Sequence, residues 1–396
     1  MPKKVSVVLG IRPDFIRTSK VLKLLDAHPD VELSIIHTGQ HYDENLNEVF
    51  FSQLGIPAVT HQLDTRGKNH NEQHAKLILQ LSDVLEEIQP EVVLFLGDAN
   101  AVVGCIAPLK LGIPIAHIEA GMRSYNWDMP EERNRVLIDR VSDVLYVYQD
   151  DYRVQLVQEG IDPSKIVVTG NVIVDVLKQY ELETSWLNHP LNPPKPVEYR
   201  LTNSRSGQAC RVEKGQYVLM TLHRNEHMTN PKLAQEIIDE VDGAVTLLTP
   251  GAPVVLIEMP RLKALNLDYP ARFIPTEPLG FLEFITLERE AIIEFTDSGT
   301  NQESASILGT PCVVTRTCTE RPECEDSGTT VLAQPPNIIK AAQAVLRSKY
   351  NTAFTLGDGE SSQRIVDDLL WRLGRGFKHT DPCHNEFKAR HFRTYG

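Results

Sequence analysis

Long apolar runs, blocks of basic residues and closely paired cysteines are all missing from this 396-residue chain, and each absence excludes a class of function. No stretch approaches the ~20 consecutive apolar residues of a membrane span. Even 101–118 is broken by Pro108, Lys110 and Pro114. Lys3 and Lys4 precede an apolar run at 5–9, but Arg12 and Asp14 follow at once and no small-residue cleavage site appears, so the segment reads as a first strand rather than a secretory signal. A cytoplasmic protein without a membrane partner is expected. Lys and Arg number 40 against 53 Asp and Glu, a formal net charge of -13 with no basic cluster, which leaves no electrostatic footprint for nucleic acid. Among Cys105, Cys210, Cys312, Cys318, Cys324 and Cys383 there is no CxxC, and the regular spacing of the middle three matches no zinc pattern; reduced structural thiols and no metal site are expected. A GxGxxG fingerprint is absent too, so no dinucleotide cofactor is signalled.

What is present is a repeated alternation. Apolar runs at 5–9, 32–37, 92–96, 113–118, 144–147 and 166–169 are separated by amphipathic stretches such as 72–88, the pattern of βα units in a parallel sheet covered by helices on both faces. The rhythm breaks at 184–214, where Pro190, Pro193, Pro194 and Pro196 precede the polar LTNSRSGQ, and resumes with runs at 217–221, 254–258, 273–275, 291–295, 312–315 and 330–332. The expected fold class is α/β with two Rossmann-like domains facing a cleft. Their bounds are an N-terminal domain at 1–183, a linker or excursion at 184–214, a second domain at 215–358, and a final helix at about 360–373 that returns to the first domain and leads into a tail ending at 396.

Three carboxylates stand where such a sheet gathers its functional groups, after a strand or at the start of the next helix: Asp98 in LFLGDAN, Glu119 in AHIEAGMR and Glu131 in MPEERNR. Pro130 makes Glu131 and Glu132 natural first-turn acids, and Arg135, four residues past Glu131, is spaced to hold it by an ion pair. After the first strand, Gly10 and Arg12 combine a turn glycine with a planar fork suited to phosphate; taken alone they also fit a turn and a surface ion pair. At 296–303, TDSGTNQE closes a strand and opens a helix whose free N–H groups could receive a diphosphate, although an ordinary N-cap by Asp297 or Ser298 accounts for the same residues. His223 and Arg224 follow the run at 217–221, and Arg321 follows the run at 312–315. A lone histidine after a strand is weak support for catalysis.

In order and along nearly the whole chain, GIRPDFIRTSKVLKLL, HTGQHYDENLNEVFF, GDANAVV, HIEAGMRS, MPEERNR, VTGNVIVDVL, TLHRNEH, TDSGTNQESASILGTP and TERPE resemble the UDP-N-acetylglucosamine 2-epimerase family. The resemblance implies a glycosyltransferase-B-like pair of domains, a homodimer, a UDP-acetamido sugar as substrate and no cofactor, UDP itself being held as a reaction intermediate. It implies anti elimination of UDP to a 2-acetamidoglucal followed by re-addition with C2 inverted. Asp98, Glu119, Glu131 and His223 would be the proton-transfer set. Arg12, Arg17, Arg135, Ser298, Gly299, Thr300, Ser304 and Arg321 would bind the diphosphate, the ribose or the acids, and Phe284 would pack on uracil. Moving a carboxyl from ~4.3 to ~7 takes roughly 3–4 kcal/mol, so at least one of the three acids is expected to be desolvated or crowded.

Three departures from the family pattern stand out. Asp14 and Arg17 replace its usual glutamate and lysine, Ser304 replaces the second glutamate of DSGGxQEE that grips the ribose, and Tyr42 replaces an arginine associated with allosteric activation. Glu303 points about 100° away from Ser304 around a helix. DSGT, EPLGF and HYDENLNEVFF are closer to the branch acting on deoxy or modified acetamido sugars. Two rivals share the plan: a hydrolysing 2-epimerase releasing N-acetylmannosamine and UDP, and a UDP-sugar glycosyltransferase. A UDP-sugar-binding regulatory module, motivated by Ser304, is the non-enzyme alternative.

Overall fold

The computed structural model describes residues 2–39, 54–183 and 198–377. Gln40, His41 and Tyr42, the proline-rich part of the excursion and most of the tail lie outside the described residues. The chain divides into two compact units, Met1–Lys178 with Leu356–Gly396, and Gln179–Thr355. The divisions fall before the expected bounds at 183 and 358, the first of them inside a helix, and the segment read as an excursion belongs to the second unit.

Unit 1 is built on strands β1 (Lys3–Leu9), β2 (Val31–His37), β3 (His61–Gln62), β4 (Val92–Leu96), β5 (Ile115–Ile118), β6 (Val144–Val147) and β7 (Ile166–Val168). They lie in the order β3-β2-β1-β4-β5-β6-β7, parallel throughout. Every residue of β4, β5 and β6 is buried, as strands covered on both faces require. The covering helices are α1 (Arg12–Asp26), α2 (His70–Ile88), α3 (Ile106–Leu111), α4 (Pro130–Val141), α5 (Asp150–Gln158) and α6 (Val172–Glu183). In α2, Asn69 caps by accepting from Glu72 N, and Leu77, Leu81 and Leu85 supply the buried stripe at intervals of four. β3, only two residues long, carries too little pattern to be read from sequence.

Unit 2 begins with the antiparallel hairpin β8 (Glu198–Thr202) and β9 (Ala209–Glu213), followed by β10 (Val218–Thr221), α7 (Asn225–Met228), α8 (Pro231–Leu248), β11 (Val254–Ile257), α9 (Pro260–Ala264), β12 (Phe273–Thr276), α10 (Phe281–Glu290), β13 (Glu294–Thr296), α11 (Gly299–Leu308), β14 (Cys312–Val314), β15 (Thr330–Leu332) and α12 (Ile338–Arg347). The six-stranded sheet runs β12-β11-β10-β13-β14-β15, also parallel. The hairpin lies inside the segment 184–214 read from sequence as a linker or excursion, where no periodicity signalled a strand. Leu201 and Val212 join the core of Tyr217, Leu219 and Val255, while its turn is pinned by Ser204 Oγ and Arg205 Nε donating to Glu258 at 2.5 and 2.9 Å. With one buried residue per strand, alternation was too brief to register.

The last helix, α13 (Ser361–Arg375), packs in unit 1. Asp175 of α6 caps it, accepting from Ser361 N and Ser362 N at 3.2 and 2.6 Å, and Tyr146 Oη donates to Asp368 at 3.0 Å. Among the described residues no helix is long and apolar enough to cross a membrane.

Each sheet reverses its winding beside its first strand, between β1 and β4 in unit 1 and between β10 and β13 in unit 2. The carboxyl ends of the strands flanking such a reversal are where open α/β sheets bind ligands.

Candidate active site

In unit 1 the acids cluster at that reversal. β4 is followed by Gly97, at φ 69°, which hands over to Asp98; β5 is followed directly by Glu119, a non-glycine residue at φ 72°. Holding a side-chain-bearing residue there costs on the order of 1–3 kcal/mol, a cost that concentrates at functional positions. A Cβ on Gly97 would come within 3.0 Å of Arg17 Nη2 and 3.6 Å of Glu119 Oε1, so only glycine lets the two turns approach.

Arg17 explains the approach. From α1 its fork donates to Glu119 Oε2 through Nη1 and lies 3.3 Å from Asp14 Oδ1 through Nη2, while Tyr148 Oη donates to the same Glu119 oxygen at 3.2 Å. Asp14 in turn accepts from Gly10 N and Ile11 N, both at 3.1 Å, which fixes the turn that carries Arg12, half-buried at the start of α1. The expected desolvation falls on Glu119, 2% exposed, whereas Asp98 keeps 20% of its side chain open. Within this cluster the carboxyl displaced upward is Asp14: burial raises it to about 6 against the opposing pull of Arg17 and the two N–H groups.

The second fork is Arg135 of α4, and here the sequence spacing misleads. Arg135 pairs through Nη2 with Asp98 and through Nη1, at 2.8 Å, with Glu132 rather than Glu131. The reason is that Glu132 is turned inward, accepting from Ser124 N, Ser124 Oγ and Tyr125 N at 2.8, 2.8 and 3.1 Å. Asn134 Nδ2 donates to Asp98 O at 2.9 Å, docking the same helix against the acid-bearing turn, with Glu131 half-buried in its first turn.

In unit 2, His223 and Arg224 follow β10 and Asp297 follows β13, again across the reversal. Asp297 is fully buried and lies 2.9 Å from His223 Nδ1 and 2.8 Å from His227 Nδ1; it also accepts from His223 N and Arg224 N. Burial pushes its carboxyl up, but His223 and His227 more than reverse this and hold it well below the usual carboxylate range. Asp297 is thus the orienter of His223, a role the sequence reading did not assign. The recurrence of His227, on the short helix α7, four residues after His223 was the available signal.

The cap of α11 is Ser298, whose Oγ accepts from Asn301 N at 3.4 Å; Asp297 is committed elsewhere. Gly299 follows because a Cβ there would collide with Arg321 Nη1. Arg321 is buried between Glu320 and Glu303, 2.8 Å from the latter, and Glu320 also pairs with Arg224 and Arg316 at 3.2 and 3.0 Å. Thr300 is half-buried in the first turn, and Phe284 of α10 packs on the Leu201–Val212–Tyr217 cluster. Ser304 does not face an open surface: it is buried and its Oγ donates to Glu288 Oε1 at 2.7 Å. Behind Glu288 lies Glu294, both fully buried. Burial raises both carboxyls, Glu288 further through the Glu294 charge, and Glu294 stands at about 7. Each acid so placed disfavours ionisation of the other.

Comparison with known proteins follows the same pattern. The family model described as UDP-N-acetylglucosamine 2-epimerase matches residues 23–370. The chain is 36% identical over 379 residues to the UDP-N-acetylglucosamine 2-epimerase of Methanocaldococcus jannaschii, covering 93% of this chain and 99% of that relative. It is 35% identical over 376 residues to the UDP-2,3-diacetamido-2,3-dideoxy-D-glucuronate 2-epimerase of Pseudomonas aeruginosa, covering 92% and 99%. Among solved structures it is similar to the Methanocaldococcus jannaschii enzyme in complex with UDP-GlcNAc and UDP, with TM-score 0.80, 32% identity and 93% and 99% coverage. The Neisseria meningitidis enzyme bound to UDP-GlcNAc gives TM-score 0.77 and 26% identity, with 93% and 99% coverage. With the model and the relatives both spanning nearly its full length, the chain belongs to the UDP-N-acetylglucosamine 2-epimerase family.

Proposed function

We propose that this protein is a non-hydrolysing 2-epimerase that inverts C2 of a UDP-2-acetamido sugar. The observation that carries the reading is the pairing of Asp98 and Glu119 at the ends of adjacent strands, one partly open and one buried under the Arg17 fork. The proton on the acetamide-bearing carbon C2 is scarcely acidic, so its removal cannot run ahead of the departure of the nucleotide from C1. In this reading Asp98, Glu119 and Glu131 carry protons to and from the sugar. His223, aligned by Asp297, together with Arg12, Arg321 and the free N–H groups of α11, balances charge on the expelled UDP. UDP stays bound and is re-added at C1 on the face it left, while a proton returns to C2 on the face opposite to the one that lost it, so that C2 alone is inverted.

The identities to the two relatives, 36% and 35%, are too close to choose between an N-acetylglucosamine and a diacetamidoglucuronate nucleotide, so both belong in the assay. Incubation with each in deuterium oxide, followed by NMR, is expected to show deuterium entering C2 without net UDP release. Absence of exchange with every UDP-acetamido sugar defeats the proposal, and stoichiometric UDP accumulation assigns the chain to the hydrolysing type. A cytoplasmic homodimer is proposed on the same family resemblance, and light scattering tests the dimer.

A further inference from the structure

His117 of β5 and Asp139 of α4 are only 0% and 1% exposed, and neither is among the acids and bases assigned above. His117 Nδ1 lies 2.7 Å from Asp139 Oδ1, and its Nε2 lies 2.8 Å from Gly97 O, the carbonyl immediately before Asp98. Asp139 Oδ2 accepts from Gly121 N at 3.1 Å, two residues past Glu119, and from Arg123 Nη1 at 2.7 Å; Arg123 is held in turn by Glu159. Both ring nitrogens therefore face oxygen acceptors, and the hydrogen bonds are complete only when each carries a hydrogen.

We propose that His117 and Asp139 form a positioning pair that locks the Asp98 turn and the Glu119 turn into one register. The inference rests on the function proposed above and deepens it. One chain of hydrogen bonds runs from Gly97 O through the imidazole and the carboxylate to Gly121 N, and both glycines lie at positive φ, 69° and 83°; the last main-chain bonds of the sheet, from Gly97 N to Ile118 O and from Glu119 N and Ala120 N to Tyr146 O, stop short of Asp98 and Gly121, which the side-chain pair reaches. Stability alone is a poor reason for such a pair, because a buried ionic group is often replaceable by apolar side chains at no loss. What apolar side chains cannot do is hold two main-chain groups of neighbouring turns at fixed separation. Displacing a reacting group by about 1 Å is enough to lose ~10²-fold in rate.

The test uses His117→Gln, Asp139→Asn and the double variant in the full-length protein, with active sites counted by UDP titration. The glutamine amide can donate to only one of the two acceptors. The expected result is a fall of roughly 10²-fold in kcat for C2 deuterium exchange, with KM and UDP affinity within about twofold of the parent, since neither His117 nor Asp139 bonds to a group assigned to the nucleotide. The double variant is expected to lose no more than His117→Gln alone, as members of one network do. An unchanged kcat per UDP-binding site, additive losses, or a parallel loss of UDP affinity overturns the proposal. Failure of both single variants to fold overturns it as well, by making the pair a core-stability element. If the parent protein itself shows no exchange, the fault lies with the proposed function instead.

Discussion

The two units share a strand order and a point of reversal, yet the acid that follows the fourth strand of each main sheet has opposite fates. In unit 1, Asp98 after β4 leaves 20% of its side chain open and is touched by a fork that reaches it from another helix. In unit 2, Asp297 after β13 is wholly buried, and its oxygens are taken up by two histidines and two main-chain N–H groups. The same position in the same scaffold thus yields a group able to meet a ligand in one case and a bracket for other groups in the other. Topology sets where function accumulates, and the partners brought by the following helix decide what kind it is.

The comparison breaks most visibly if the acids of unit 1 prove dispensable. Asp98→Asn and Glu119→Gln are each expected to slow C2 exchange by about 10²–10⁴-fold while leaving UDP affinity within about twofold, measured by NMR and calorimetry. Unchanged turnover in either variant removes that acid from the proposed set. Next in size, Asp297→Asn leaves His223, His227 and two N–H groups around a neutral amide; a loss of about 3 kcal/mol in unit 2 is expected, read by hydrogen exchange of β10 and β13 in denaturant, with the strands of unit 1 unaffected.

A smaller effect sharpens the contrast through pH. Glu294, raised from 4.5 to about 7 chiefly by burial, stabilises unit 2 fully below pH 4.5, and that contribution declines as pH rises through about 7. Glu294→Gln is expected to flatten that decline in a pH series of unfolding curves. Asp14 in unit 1 follows the same sign over a lower window, from 3.8 to about 6. Asp297, shifted downward, contributes above 3.8 and loses its contribution as pH falls below that. The smallest expected change is at Arg17: lysine keeps the charge but not the fork between Glu119 and Asp14, so Arg17→Lys should cost about tenfold in exchange rate, and adding Asp14→Glu should recover most of it. A double variant no better than the single one breaks the idea that the two substitutions compensate.

Much of this was legible in the sequence because buried parallel strands are continuous apolar runs. VVLFL at 92–96 and VLYV at 144–147 have no competing interpretation once their neighbours alternate with helical periods. Asp98, Glu119 and His223 were legible for a related reason, since each stands where a strand ends. Pairings were not. Spacing alone put Arg135 on Glu131, whereas three hydrogen bonds from the preceding loop turn Glu132 inward to take it. The relation of Glu288 to Glu294 and Ser304 depends on how α10, β13 and α11 stack, and no local periodicity reports that. The hairpin at β8 and β9 was missed because its few apolar residues are separated by a polar turn that resembles a linker.

Unit 1 is assembled from two separated stretches of chain, with α13 sewn onto α6 by the Asp175 cap, whereas unit 2 is one uninterrupted stretch. During synthesis, therefore, the second unit emerges complete while the first still waits for its closing helix. Vectorial folding, which ordinarily favours the amino-terminal domain, is inverted here. The unit that bears Asp98 and Glu119 is finished only when the ribosome has delivered residues beyond 360, so premature termination leaves unit 2 entire and unit 1 without its last helix.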